Sequence, residues 1–237
     1  MPSSSFHSTS WTLVLAAGDT HTGLARAALA DLCELYWYPL YVYARRIGAD
    51  AEDARDLVQG FLLSLLERED LRRVTPERGR FRSFLLASLK HYINNRRVHD
   101  RAQKRGGGQQ PLALNLDEAE TRFERAVAAP GDTPERASER QWALALLDQV
   151  FAEVRAEWEA RGKVGEFDRL KSMLLDEDDR GFAAAARDLG TTETALRMSA
   201  TRMRRRFQQV LRDTIAETVT GEAIDEEVRF LLDRLST

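Results

Sequence analysis

The sequence predicts an all-α protein: two small helical domains joined by a flexible linker, the second containing a helix-turn-helix. Three observations predict this. Apolar residues recur at three-and-four spacing in segment after segment. A stretch bearing Gly106–Gly108, Pro111, Pro130 and Gly131 separates two such groups of segments and has little period of its own. Near the C-terminus a short alanine-rich segment, a glycine turn and a longer basic segment follow one another. The expected domains are 11–105 and 134–219, with the linker at 106–133 and an amphipathic helix extension at 220–237.

In the first domain, residues 1–10 read as a disordered tail and Trp11 to Ala17 as a short helix. Thr20 or Thr22 can cap the next helix, whose apolar face runs through Leu24, Ala28, Leu32 and Leu35. Pro39 falls inside the pattern, but Leu40, Tyr43 and Ile47 continue it, so a kinked helix or two abutting ones are expected, ended by Gly48. Asp50, Glu52, Asp53 and Asp56 open a further helix, where the macrodipole favours acids. Leu57, Val58, Phe61, Leu62, Leu65 and Leu66 form its apolar stripe. Pro76 and Gly79 mark Leu71 to Arg80 as a loop.

The stretch Arg78 to Arg105 is the most unusual of the chain. Phe81, Phe84, Leu85, Ser88, Leu89, Tyr92 and Ile93 share one helix face, while the other carries cations and amides, with Asp100 its only acid. A solvated face usually mixes signs, and this one suits a phosphate backbone and exposed bases. Phe81 and Phe84 are expected to anchor the helix in a core, leaving the amides and arginines to make contacts.

In the linker, Leu112, Leu114 and Leu116 alternate as an extended segment would. Thr133 or Asp132 caps the first helix of the second domain, which is marked by Leu147, Val150, Phe151, Val154 and Trp158. Gly162 and Gly165 form a turn; Phe167, Leu170, Leu174 and Leu175 mark the next helix, ended by the acidic run Asp176 to Asp179. Phe182 to Leu189 is a short helix whose Ala185 and Ala186 permit close packing, and Gly190 to Thr192 a tight turn. The helix from Thr192 has Leu196, Ala200, Met203, Phe207, Val210, Leu211 and Ile215 on one side and Arg197, Arg202, Arg204, Arg205 and Arg206 on its surface. A helical hairpin gives a similar pattern; the arginines favour a DNA reader, which needs cations for phosphates and bidentate donors for bases. The last helix, Ile224 to Leu235, can dock back on the second domain or meet a partner helix.

A formal net charge of -3 conceals segregation: Glu34 to Asp70 holds eight acids against four bases, Arg72 to Arg105 eleven bases against two acids, and Ala195 to Arg212 six arginines and no acid. The single Cys33, expected to be a small buried residue, excludes an intrachain disulfide and fits a reducing cytosol. No run approaches a membrane span and the start lacks a signal-peptide core, so a cytoplasmic protein with no membrane insertion is expected. His7, His21, His91 and His99 lack metal-ligand spacing, Asp176 to Asp179 lacks a calcium loop's glycine turn, and no nucleophile motif is present. The expectation is a binding protein rather than an enzyme, with no cofactor and no metal.

Four blocks in order resemble bacterial RNA polymerase sigma factors of the small, two-domain extracytoplasmic-function type. They are DAEDARDLVQGFLLSLLE (Asp50 to Glu67), the Arg78 to Arg105 stretch, the linker with TPERASER, and FAAAARDLGTTETALRMSATRMRRRFQQVL. The resemblance implies that Asp53, Asp56, Leu57, Gln59, Phe61 and Leu62 bind the polymerase core, chiefly its β′ subunit, with the linker threading the RNA-exit region beside β. It implies that the 71–80 loop holds a flipped base of the -10 element. Arg78, Gly79, Arg80, Asn94, Asn95, Arg96, Arg97 and Arg101 would contact the opened promoter DNA. Thr192, Glu193, Thr194 and Arg197 would enter the -35 major groove, with Arg202, Arg204 and Arg205 on phosphates. An anti-sigma factor is a further implied partner. Four features depart from the family pattern: Gly60 stands in place of an acid, the second domain lacks a Leu-Pro entry before its helix pair, FAAAARDLG stands in place of an aromatic–x–Glu-Ile-Ala helix, and the chain continues past Val219. An autonomous helix-turn-helix regulator is the alternative reading.

Overall fold

The computed structural model of the chain describes residues 23–67, 80–100, 119–126, 132–176, 181–216, 219 and 223–236. Among them every regular element is a helix, with no strand. In chain order these are α1 (Gly23–Arg46), α2 (Ala51–Glu67), α3 (Phe81–Asp100), α4 (Ala119–Ala126), α5 (Pro134–Glu159), α6 (Val164–Asp176), α7 (Phe182–Asp188), α8 (Glu193–Ala216) and α9 (Ile224–Leu235). The expected tail, the Trp11 to Ala17 helix, most of the 71–80 loop, Leu112 to Leu116 and the Cys33 side chain lie outside the described residues.

The chain divides into two compact units, Met1–Leu146 with Ile215–Thr237, and Leu147–Thr214. The sequence places the start of the second domain at 134; the compact division falls instead at Leu147, inside α5, and groups the extension with the first unit.

In the first unit α2 and α3 bury one face each, whereas α1 is buried on all sides from Tyr38 to Ala44. Tyr36, Leu40, Tyr43 and Ala44 of α1 are buried, as are Ala54, Val58, Phe61, Leu62 and Leu65 of α2. On α3 the buried set is Phe81, Leu85, Leu89 and Ile93, a strict four-residue step along one line of the helix. Tyr36 meets Phe81 edge-on with centroids 5.4 Å apart. Burial of such side chains contributes about 1.5–3 kcal/mol each. Asp50 caps α2 by accepting from the Asp53 N–H at 2.8 Å. Pro39 is buried inside one uninterrupted helix rather than at a junction of two. Packing of the whole face outweighs the donor that proline removes.

The expected linker contains a helix. In α4, Phe123 is buried and meets Tyr41 edge-on at 6.3 Å. Glu120 accepts from Arg45 Nη2 at 2.5 Å and Nε at 3.1 Å, and from the Tyr41 hydroxyl. Burial would raise the Glu120 carboxyl, but the Arg45 and Tyr41 hydrogen bonds hold it below the usual range. Burial and the Glu120 hydrogen bond push the Tyr41 phenol up to about 12.

In the second unit Val150, Val154 and Trp158 of α5 are buried, together with Phe167 and Leu170 of α6, Phe182, Ala185 and Ala186 of α7, and Leu196, Ala200, Met203, Val210 and Leu211 of α8. Gly165 lies within α6 rather than in the preceding turn, which Gly162 makes with a positive φ. The turn between α7 and α8 requires glycine: Gly190 has φ +63°, and the Thr191 N–H reaches back to the Ala186 carbonyl while the Gly190 N–H reaches Arg187. That is a Schellman closure, with a left-handed residue just past the helix end.

The C-terminal helix α9 belongs to the first unit, not the second as one reading of the sequence has it. Leu231 is fully buried, and Glu227 is 1% exposed beside Arg80 and Arg82 at the head of α3.

Candidate nucleic-acid interface

The sequence predicts two basic faces, and the fold treats them differently. On α3, Asn94 and Asn95 are exposed. Arg96 is half-buried and leans on α2, its Nη1 3.5 Å from the Asp56 carbonyl. The Arg97 side chain, Arg78, Gly79 and Arg101 lie outside the described residues. Lys90, Arg80 and Arg82 face acids from later segments. Lys90 Nζ is 2.7 Å from Glu135 of α5 and lies 5.5 Å from the Tyr43 ring centroid. The Glu135 hydrogen bond raises the Lys90 ammonium, and Lys90 in turn lowers the Glu135 carboxyl. Both are more than a third exposed, so this pair adds little stability.

Arg80 and Arg82 converge on Glu227. Arg80 Nε lies 2.7 Å from Glu227 Oε2 and its Nη2 3.7 Å from Glu226; Arg82 Nη1 pairs with Glu227 Oε1. The Arg82 guanidinium also lies 4.0 Å from the Phe230 centroid and 4.7 Å from that of Trp142. Burial first, then the neighbouring Arg80, pulls Arg82 down to about 10, so it stays charged at neutral pH. Arg234 of α9 completes the contact at 2.6 Å from Glu139 of α5.

Glu227, Phe230 and Trp142 were not singled out from the sequence. A signal was present: Glu227 stands three residues after Ile224 and four before Leu231, on the apolar line of its helix. An acid there needs a cation opposite it, and no local window shows which.

The face expected to meet a polymerase is split. Asp53 and Asp56 are exposed, Leu57 and Gln59 half-buried, but Phe61 and Leu62 are 2% and 3% exposed and belong to the core. Phe61 packs on Tyr92 with centroids 5.9 Å apart. The departure at Gly60 has a packing reason: a Cβ there would collide with the Tyr92 hydroxyl.

On α8 the Thr192 hydroxyl caps the helix, accepting from the Ala195 N–H at 3.2 Å. Glu193 and Thr194 are exposed in the first turn. Arg197 is exposed, lies 4.6 Å over the Phe182 ring and pairs with Glu193 at 3.0 Å. Arg202, Arg204 and Arg205 are all exposed on the helix surface. Arg206 points back instead: its Nη2 is 2.6 Å from Glu157, whose hydrogen bond raises the guanidinium further.

Among the described residues no group of side chains can hold a metal ion, and no helix is long and apolar enough to cross a membrane. Comparison with family models, curated proteins and solved structures gives no match.

Proposed function

We propose that the chain is a promoter-specificity subunit of bacterial RNA polymerase, a sigma factor of the extracytoplasmic-function type that opens the -10 element and binds the -35 major groove. The observation that carries this reading is the exposed basic surface of α8. It follows a glycine-closed turn, and Glu193, Thr194 and Arg197 lie at its start with Arg202, Arg204 and Arg205 one and two turns on. A helix so presented offers side chains to base edges from its first turns and cations to phosphates beyond them. Asn94 and Asn95 on α3 supply exposed amides of the kind that pair with unstacked bases. On the first unit the exposed Asp53 and Asp56, with Leu57 and Gln59, form the surface assigned to the polymerase β′ subunit, and Phe61 and Leu62 support it from beneath. In this reading the protein is cytoplasmic, not an enzyme, and open to control by an anti-sigma factor.

The test is transcription with core polymerase and a promoter library. New run-off products that depend on the chain are expected, and Asp53→Lys with Asp56→Lys should remove them without removing binding to duplex DNA. Failure to co-elute with core polymerase in gel filtration sinks the reading. Duplex binding that persists alone would instead mark an autonomous DNA-binding regulator.

A further inference from the structure

We propose that Arg80, Arg82 and Trp142 form a binding patch for a single-strand nucleotide, and that α9 occupies it as a mimic, Glu227 in the place of a phosphate and Phe230 in the place of a base. The inference rests on the proposed function only in placing nucleic acid at the head of α3.

The contacts of α9 are the ones a nucleotide would make. One carboxylate faces two guanidiniums, at 2.7 Å from Arg80 Nε and in direct contact with Arg82. Two arginines around one anion is an arrangement that phosphate satisfies equally well. One aromatic ring lies 4.0 Å from the Arg82 guanidinium and 6.5 Å from Trp142, centroid to centroid. The Phe230 ring is tilted 53° to Trp142, so the Arg82 guanidinium is the plane on which a base would take its place.

The fit of α9 is incomplete, and the gaps point to a ligand richer in acceptors. Arg82 Nε and Trp142 Nε1 are buried with no hydrogen-bond partner, although the Arg82 side chain is only 9% exposed and Trp142 5%. A buried donor without an acceptor is costly. Glu227 Oε1 pairs with Arg82, while Oε2 lies 2.7 Å from Arg80 Nε yet is itself buried without a hydrogen-bond partner, so the carboxylate satisfies the patch imperfectly; a phosphodiester with its base brings more acceptors in other directions. Arg82 and Trp142 also line a cavity of about 260 Å³, shared with Tyr36, Ser83, Lys90, Ser138 and the Arg234-paired Glu139. That is room beside the patch for part of a nucleotide, with hydroxyl and ammonium donors on its wall.

α9 is the last helix of the described chain, and its contact adds ion pairs and cation–ring stacking to the buried Leu231. A polyanion that presents both phosphate and base competes for the same groups. Strand binding at the head of α3 and docking of α9 therefore exclude one another.

The experiment is polymerase-free binding of a short fluorescein-labelled single-stranded oligonucleotide, read by anisotropy. The full chain is compared with the full chain carrying Glu227→Gln and Phe230→Ala, and with the chain ending at Val219. Both variants should bind the strand more tightly by about tenfold or more, the worth of one charge-assisted contact. A peptide of residues 223–236 added in trans should reverse the gain in the shortened chain, and Arg80→Ala with Arg82→Ala should abolish it in both. If the shortened chain does not fold, the substituted full chain decides. Unchanged affinity in a folded variant overturns the proposal, as does a gain that survives loss of both arginines. An equal gain for a deoxynucleoside monophosphate assigns the patch to free nucleotide and overturns the strand assignment. A chain that gains strand binding but never binds core polymerase sinks the sigma reading and leaves the patch standing.

Discussion

Replacing Gly60 with alanine sets two opposing effects against each other. Glycine inside a helix costs about 1 kcal/mol relative to alanine, so on propensity alone Gly60→Ala stabilises α2. The added methyl would collide with the Tyr92 hydroxyl, while the ring carbon bearing that hydroxyl sits at an ordinary 3.5 Å. Tyr92 cannot simply swing away, because its ring packs against the buried Phe61 at 5.9 Å. Overpacking of this kind costs about 1–3 kcal/mol, so net of the propensity gain the substitution should destabilise the first unit by up to about 2 kcal/mol. The clash depends on one oxygen. In a Tyr92→Phe background the same substitution should be neutral or stabilising by up to about 1 kcal/mol. The double-mutant cycle then gives a coupling of about 1–3 kcal/mol. Native-state hydrogen exchange of α2 amides reads this for the first unit alone. Coupling below about 0.5 kcal/mol would refute the argument that Tyr92 is what keeps residue 60 a glycine. Gly60→Asp, which adds a larger side chain at the same place, should be worse than alanine for the same reason.

Three further outcomes follow from the described contacts. Arg204→Ala with Arg205→Ala should weaken duplex DNA binding and lower the slope of log affinity against log salt by about 0.9 per lost phosphate contact, with helicity unchanged; an unaltered slope would place those side chains away from phosphates. Hydrogen-exchange protection in α4, taken relative to the intrinsic rate at each pH, should fall in acid. The Glu120 carboxyl is held low in the fold, so its contribution is complete above its ordinary value of about 4.5 and fades as pH falls through the lower folded value. Glu120→Gln should remove that dependence, and exchange equally steep in the variant would exclude Glu120 as its source. Leu170→Ala, fully buried in the second unit, should cost about 2–5 kcal/mol in urea unfolding, whereas Met198→Ala, 53% exposed on α8, should cost no more than about 0.5 kcal/mol.

The helices that the sequence makes legible are those whose apolar period is long and whose caps are local. α2, α3 and α8 each carry a long apolar stripe; the expected cap Thr133 accepts from the Arg136 N–H on α5, and Asp50 and Thr192, which precede α2 and α8, cap as well. The helix at 119–126 was illegible for a physical reason. Its eight residues, AETRFERA, carry one large apolar side chain, too little for a free-standing helix. What holds it is Phe123 on Tyr41 and Glu120 on Arg45, contacts that span 75 residues or more for the carboxylate. The same holds for Pro39. Its local penalty is visible in the sequence, while the buried face that outweighs it is a tertiary property.

Charge was the least transferable signal between sequence and site, because its sign is local and its compensation is not. The one-sided positive charge of α3 is real along the helix, yet Lys90, Arg80 and Arg82 meet Glu135 and Glu227 from segments 45 residues or more away. In the second unit the reverse occurs: Glu153 and Glu157 of α5 engage Arg206, and Arg202, Arg204 and Arg205 remain on the exposed surface of α8. The expected nucleic-acid contacts are therefore unequal while α9 is docked. On the proposed function, nonspecific duplex affinity would come mainly from α8, since phosphate binding scales with cations that are not already neutralised. Any contribution from the head of α3 waits on the departure of Glu227. Salt raises the stakes of that step, because it screens the exposed Arg80–Glu226 pair far more than the buried Arg82–Glu227 pair. Moderate salt alone should thus leave α9 in place, and its release requires a ligand that can replace the buried carboxylate.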